Sequence, residues 1–161
     1  MENYSGATPY LSFWLNEELY AYRVEDVIEV LEMQKITMIP KTPDYIMGVI
    51  NFRGEILPVI DVRKKCGLDS SQDFDTKDCV IVVLEINKDD QDNSLTVGSI
   101  VESVSDVVQV KPIDIMDVPE FDTKINADLT EGIFRHDNKF ITILDTTKIF
   151  SLSYTSSNST K

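Results

Sequence analysis

The stretch Gly48-Val49-Ile50-Asn51-Phe52-Arg53-Gly54-Glu55-Ile56-Leu57-Pro58-Val59-Ile60-Asp61 decides the fold. Two runs rich in β-branched and aliphatic residues flank Arg53-Gly54, where glycine supplies the positive φ that a tight connection needs. Asp61 is a good N-cap for a short helix over Val62–Cys66, and Gly67 stands where that helix would end. The stretch therefore predicts a β-hairpin followed by one capped helical turn.

A second copy of this pattern begins at Gly132, 84 residues further along the chain, since 132 − 48 = 84. Without gaps, Gly48-Val49, Ile56-Leu57 and Val59-Ile60-Asp61 match Gly132-Ile133, Phe140-Ile141 and Ile143-Leu144-Asp145. Any two hairpins share an alternation of apolar residues, so chance is an alternative to duplication. We favour duplication because each copy follows a predicted valine-rich helix and ends in a turn capped by aspartate. Two small antiparallel barrels, each closed on itself to remove its edges, are the simplest architecture for such strands.

Two further hairpins are predicted from runs of aliphatic and aromatic residues that flank polar turns. The first joins residues 10–15 to 19–23, and the second joins 79–86 to 95–100. Residues 68–78 are rich in Asp, Ser and Gln, so we expect a linker there. We therefore expect one domain, in which subdomain 1 (about 10–68) and subdomain 2 (about 79–150) precede a polar tail (151–161).

Two short helices are predicted from apolar stripes of helical period. The first stripe is Val24, Val27, Ile28 and Leu31, and the second is Val101, Val104 and Val108. Such a stripe serves core packing or partner binding, and its period alone favours packing. Between these elements we expect a strand at 36–40, a helical turn at 42–47 and extended chain at 110–116.

The composition is that of a folded, acidic protein of one ordinary domain in length. The chain has 161 residues, of which 42% are hydrophobic and 27% are charged, close to globular averages. Its 15 basic and 28 acidic side chains give a net charge of −13, which opposes binding to nucleic acid or to anionic membranes. No apolar run approaches the roughly 20 residues that span a bilayer, and the N-terminus lacks the features of a secretory signal. We expect a cytoplasmic protein without direct membrane insertion.

The residues that usually perform chemistry form no recognisable catalytic or metal site. Cys66 and Cys79 have no His or other Cys at metal-ligand spacing, so we expect buried free thiols and no metal. The single histidine, His136, lies at a predicted hairpin tip, and nucleotide-binding and serine hydrolase motifs do not occur. Binding without a cofactor is thus favoured, and a small hydrolase or isomerase that uses a carboxylate pair is the enzymatic alternative. Arg53, an isolated cation at a turn, either neutralises nearby acids or contacts a partner.

The segment from Gly48 to Arg63 closely resembles the CheW family of bacterial chemotaxis coupling proteins. The family motif is matched at Gly48, Asn51, Arg53, Gly54, Pro58, Asp61 and Arg63. Further matches lie at 24–32, 36–43 and 104–107. The resemblance therefore covers residues 10–150, nearly the whole chain.

This resemblance implies a mainly β fold of two SH3-like five-stranded barrels with short helices. It also implies a non-enzymatic adaptor that joins the cytoplasmic tips of methyl-accepting chemotaxis receptors to the regulatory domain of the histidine kinase CheA. Positions that the family uses around its receptor and kinase contacts correspond to Val27, Glu29, Gly48 and Arg53, and to Val107 in the second barrel. A related barrel that serves a different kinase pathway is the alternative.

The family pattern also places the turn that contains Arg53 beside the end of the predicted helix that contains Glu29. We therefore expect an ion pair between them, which would fix the turn while contributing little stability of its own if it is exposed. Glu102 and Ser103 depart from the Asp and Gly that the family often has at these positions.

Overall fold

The computed structural model describes residues 6–75, 77–87, 89–90, 92, 94–119 and 124–151. They form a mainly β protein, as expected, with one short α-helix, α1 (Val62–Cys66). The strands are β1 (Thr8–Leu15), β2 (Glu18–Arg23), β3 (Val27–Glu32), β4 (Ile46–Phe52), β5 (Glu55–Ile60), β6 (Val80–Ile86), β7 (Leu95–Val101), β8 (Ser103–Val110), β9 (Thr130–His136) and β10 (Lys139–Leu144). No helix within the described residues is long and apolar enough to cross a membrane. Of the polar tail predicted at 151–161, all but Ser151 lies outside the described residues.

The strands form two five-stranded sheets, which we call the central barrel and the terminal barrel. The central barrel has the strand order β3-β6-β7-β5-β4, and the terminal barrel has the order β8-β1-β2-β10-β9. Neighbouring strands are antiparallel except where β5 runs parallel to β7 and β10 runs parallel to β2. The prediction of purely antiparallel barrels is therefore wrong for one pair of neighbouring strands in each sheet.

Among the described residues, each sheet closes on itself through one antiparallel bridge between its two edges. In the central barrel the chain beyond β3 returns to β4, where Thr37 and Val49 exchange backbone hydrogen bonds of 2.8 and 2.9 Å. In the terminal barrel the chain beyond β8 returns to β9, where Met116 and Ile133 exchange two bonds of 2.8 Å. We call the line along which the two edges meet the seam. The prediction of two five-stranded barrels is confirmed, and the two copies of the repeat close in the same way.

The division of the chain between the barrels differs from the prediction. Residues 27–101 form the central barrel without interruption, whereas the terminal barrel combines β1 and β2 with β8, β9 and β10. The subdomain boundary predicted at 68–78 is wrong, because strands on both sides of it belong to the central sheet. The first hairpin of each repeat belongs to the sheet that the other repeat forms. The β1–β2 hairpin pairs with strands of the second repeat, and the β6–β7 hairpin pairs with strands of the first. Similarity along the sequence cannot show such an exchange.

The two predicted helices are strands. In the first predicted helix, only Val24–Asp26 is helical, as a 3₁₀ turn. The residues that follow form β3, which pairs with β6 and exposes every second side chain. The second stripe lies in β7 and β8. Both stripes consist mainly of β-branched residues, which suit a pleated sheet, so sheet pairing overrides the helical period of such short segments.

The connecting segments also differ from the prediction. The helical turn expected at 42–47 is replaced by the start of β4 at Ile46. Only Thr37 of the strand expected at 36–40 pairs with another strand. A 3₁₀ turn at Pro112–Asp114 interrupts the extended chain expected at 110–116, because proline suits the first position of a helical turn.

The predicted hairpins all form, and the stretch that decides the fold is confirmed in detail. At the β4–β5 turn Arg53 and Gly54 have φ values of 55° and 82°, as in a type I′ turn, whose twist matches that of the flanking strands. Asp61 caps α1 by accepting a 3.0 Å hydrogen bond from the Arg63 amide. Gly67 ends the helix in a left-handed conformation with φ of 75°.

One apolar core runs through the central barrel and across its contact with the terminal barrel. From the terminal barrel, Phe13 and Tyr22 enter this core with their ring centroids 4.7 Å apart. The Tyr22 hydroxyl shares a buried hydrogen bond of 2.7 Å with the hydroxyl of Ser99 on β7. A shared core and a satisfied buried hydrogen bond fix the two barrels as one rigid body.

A buried arginine holds the segment 68–78 against the central barrel. The Arg63 guanidinium donates two hydrogen bonds of 3.0 and 2.9 Å to the buried Asp61 carboxylate. It donates a third bond of 2.9 Å to the Gln72 carbonyl and lies 3.9 Å from the centre of the Phe74 ring. The segment predicted to be a linker is thereby attached to the barrel.

Candidate partner-binding surface

The expected ion pair between Arg53 and Glu29 is confirmed, and it crosses the seam of the central barrel. Glu29 lies on β3 at one edge of the sheet, and Arg53 lies at the turn after β4, the other edge. The Arg53 Nη2 donates to the Glu29 Oε1 at 2.8 Å, and the guanidinium also lies 4.8 Å from the centre of the Phe52 ring. With side-chain exposures of 66% and 40%, the pair faces solvent and contributes about 0–1 kcal/mol to stability.

Gly48 is buried in β4 and supports the same seam from inside. Its φ of 146° favours glycine, and a Cβ built there would overlap the carbonyl oxygen of Thr37 and lie 2.7 Å from the Ile36 Cγ2. Thr37 is the residue that closes the barrel by pairing with Val49. Gly48 therefore allows the close approach of Thr37 that closes the barrel at this seam.

Val27 begins β3, on the same strand as Glu29. It is half-buried and packs against the central core, while the next residue, Ile28, and Val30 are exposed by 37% and 39%. A register shift between Val27 and Glu29 separates the two predicted site residues along the strand. The more exposed apolar side chains of β3 are thus those of Ile28 and Val30, whereas Val27 packs against the core.

Val107 lies on β8 of the terminal barrel and is 60% exposed. It pairs with Leu11 of β1, and β8 is an edge strand of the sheet that the described residues form. Four of the five predicted site residues therefore lie at the seam of the central barrel, and Val107 lies on the other barrel.

Sequence reasoning missed several apolar side chains that are open to solvent. In the central barrel Met38 is 81% exposed beside the closure and Ile56 is 69% exposed on β5. Phe140, the counterpart of Ile56 in the second repeat, is 54% exposed on β10. A signal was present, because Ile56-Leu57 matches Phe140-Ile141 in the repeat, but alternation does not tell which residue of such a pair faces outward.

The two cysteines are buried and unpaired, as expected. Burial raises the pKa of the Cys66 thiol to about 12, although Lys65 acts in the opposite direction. Burial also raises the pKa of Cys79 to about 11, helped by the charge of Glu102. Because the thiolate is the reactive form, both residues are suited to packing rather than to nucleophilic chemistry.

We expect a thiol reagent at pH 8 to modify Cys66 and Cys79 in the native protein at least a hundredfold more slowly than free cysteine, since the raised pKa values leave little thiolate. In denaturant without reductant, both thiols should react. Absorbance after addition of a chromogenic disulfide reagent measures both rates. Fewer than two reactive thiols after unfolding would contradict the assignment of free cysteines.

A rigid double barrel that exposes apolar side chains around a surface ion pair has the features of a protein-interaction scaffold. Comparison with known proteins identifies the family to which this scaffold belongs. The chain belongs to the CheW-like domain family, whose model matches residues 9–153. Both the predicted family and the predicted fold are thereby confirmed.

Individual relatives agree with this assignment. The chain is similar to the chemotaxis protein CheW of Bacillus subtilis, with 32% identity over 133 residues that cover 83% of this chain and 80% of that protein. It is 30% identical to CheW of Treponema pallidum over 143 residues, which cover 88% and 81%. The crystal structure of the scaffolding protein TtCheW from Thermoanaerobacter tengcongensis matches with a TM-score of 0.76 and 35% identity over 89% of this chain and 88% of that one. The chain is thus a non-enzymatic scaffold of bacterial chemotaxis, and the carboxylate-dependent enzyme is set aside.

Proposed function

We propose that this protein joins the regulatory domain of the histidine kinase CheA to the cytoplasmic tips of methyl-accepting chemotaxis receptors. It does so in the cytoplasm, where receptor arrays recruit it to the membrane. The observation that carries the proposal is the separation of the candidate contacts. The seam with Glu29 and Arg53 belongs to the central barrel, whereas Val107 belongs to the terminal barrel.

An adaptor has to present two surfaces on a body that does not deform. The core shared by the two barrels and the buried bond between Tyr22 and Ser99 supply that rigidity. The ion pair supplies a charged anchor, because Arg53 is held in one orientation by Glu29 and by the Phe52 ring. Arginine and exposed aliphatic side chains beside it are typical of the centre of an interface.

Small interfaces are sufficient for this role. Each contact in a transient signalling complex is weak, and repetition within an array raises the effective concentration of every component. A metal ion or a reactive side chain is not required of such a protein. The high negative charge instead disfavours attachment to anionic lipid, so recruitment to the membrane has to come from protein partners.

A pull-down with the regulatory domain of the kinase as bait tests the proposal. We expect the protein to be retained by the bait, and we expect a receptor cytoplasmic fragment to be retained only when the protein is present. A protein that binds the receptor fragment but not the kinase would instead serve a different kinase pathway. Binding of neither component would contradict the proposed function.

A further inference from the structure

The terminal barrel has a seam cluster that corresponds to Arg53 and Glu29 but differs in charge. Asp106 on β8 occupies the place of Glu29 on β3, since each lies on the edge strand beside a register shift. Asp137 occupies the place of Arg53, because 84 residues separate them and both begin the type I′ turn of the matching hairpin, with φ values of 52° and 55°. The cation of the central seam is thus replaced by a carboxylate.

The only histidine of the chain completes this cluster. The Nε2 of His136 lies 3.7 Å from the Asp106 Oδ2 and 3.6 Å from the Asp137 Oδ2. One donor atom from each of the three side chains lies within 4.8 Å of the other two. The side chains are accessible, with exposures of 33% for His136, 58% for Asp106 and 82% for Asp137.

The central seam shows how the two edges of a sheet are joined by charge. There the carboxylate of Glu29 meets a guanidinium at 2.8 Å, so a positive charge joins the two edges of the sheet. In the terminal seam two carboxylates approach one imidazole in a protein whose net charge is −13. By comparison with the central seam, the repeat therefore points to a cation between Asp106 and Asp137.

We propose that Asp106, His136 and Asp137 bind a divalent transition-metal ion of the zinc type across the seam of the terminal barrel. Imidazole nitrogen and carboxylate oxygen are ligands that Zn²⁺ binds at about 2.0–2.2 Å, which sets neighbouring ligand atoms roughly 3.3 Å apart in a tetrahedral site. The two separations from the His136 Nε2, 3.6 and 3.7 Å, lie close to this value, and all three ligand atoms lie within 4.8 Å of one another. Mg²⁺ and Ca²⁺ prefer sites made of oxygen alone, so the imidazole favours the transition metal.

Isothermal titration of the metal-free, untagged full-length protein with ZnCl₂ at pH 7.5 tests the site, with MgCl₂ titrated in parallel. We expect one Zn²⁺ to bind and Mg²⁺ to bind at least tenfold more weakly. His136→Gln and Asp137→Asn should each weaken Zn²⁺ binding about tenfold or more, because each removes a ligand. Asp137→Arg should abolish binding, since it places in the terminal seam the cation that the central seam already has.

Asp114→Asn is the matched control, because it removes one exposed carboxylate from the same barrel and should leave the affinity unchanged. Melting of each variant without metal should match the parent, since all the altered side chains are at least partly exposed. Absence of saturable Zn²⁺ binding would overturn the proposal. Equal affinity in the parent and His136→Gln, or equal affinity for Zn²⁺ and Mg²⁺, would overturn it as well.

Discussion

Gly48→Val should destabilise the protein by about 3 kcal/mol or more, the largest loss of stability that we expect from a single substitution here. Two costs combine at this position. A β-branched residue is strained at a φ of 146°, and its Cβ would overlap the Thr37 carbonyl oxygen that closes the central barrel. Urea unfolding followed by circular dichroism measures the change in the free energy of unfolding.

Gly54→Ala separates the two costs. Gly54 also has a positive φ, 82°, but in the part of the chain that the structure describes nothing lies within 4 Å of a Cβ built there, so only the backbone strain remains. We expect a loss of about 1 kcal/mol for this control. Gly132→Val should resemble Gly48→Val, because its added atoms would meet Ile115 and the Met116 carbonyl at the corresponding closure. Equal losses for Gly48→Val and Gly54→Ala would show that the close approach to Thr37 is unimportant.

Arg53→Glu should weaken partner binding by about 2 kcal/mol or more, roughly thirtyfold, while changing stability by no more than about 1 kcal/mol. The pair is largely exposed, so its loss costs the fold little. Two carboxylates facing each other at the seam should push the β4–β5 turn away from β3 and disturb the surface around Ile28 and Val30. Affinities for the kinase regulatory domain and for a receptor fragment, measured by calorimetry beside thermal melting, separate the two effects.

The paired exchange Glu29→Arg with Arg53→Glu should recover part of the lost affinity, because it restores an attractive contact across the seam. Lys111→Glu, an equal change of charge at an exposed position of the terminal barrel, should have a smaller effect and controls for net charge. If Arg53→Glu binds both partners as tightly as the parent at low and moderate salt, with unchanged melting, then Arg53 is only a surface cation.

The parts of the fold that follow local rules could be predicted from the sequence. The Arg53-Gly54 turn, the Asp61 cap and the Gly67 terminus each depend on a few neighbouring residues with strong conformational preferences. The valine-rich segment that became β3 has no such signal. Its period fits a helix equally well. Its pairing with β6, whose paired residues lie 48 to 57 positions away in the chain, decides the outcome.

The geometry of the candidate partner-binding surface could be predicted only in part. The approach of Glu29 to Arg53 was expected from the family pattern, since both lie in segments that match it. The exposure of Ile56 and Phe140 could not be predicted in this way. Alternation shows which residues share a face of a strand, but it does not show which face is exposed to solvent. The exchange of hairpins between the repeats was also invisible, because it depends on contacts between the two halves of the chain.

A three-component titration tests the central claim most directly. The kinase regulatory domain is held at a concentration that saturates the protein, and a receptor cytoplasmic fragment is then added while sedimentation velocity follows the complexes. The account predicts a species that contains all three components, because the two partners use different surfaces of one rigid scaffold. Displacement of the kinase domain by the receptor fragment, with no ternary species at any ratio, would contradict it.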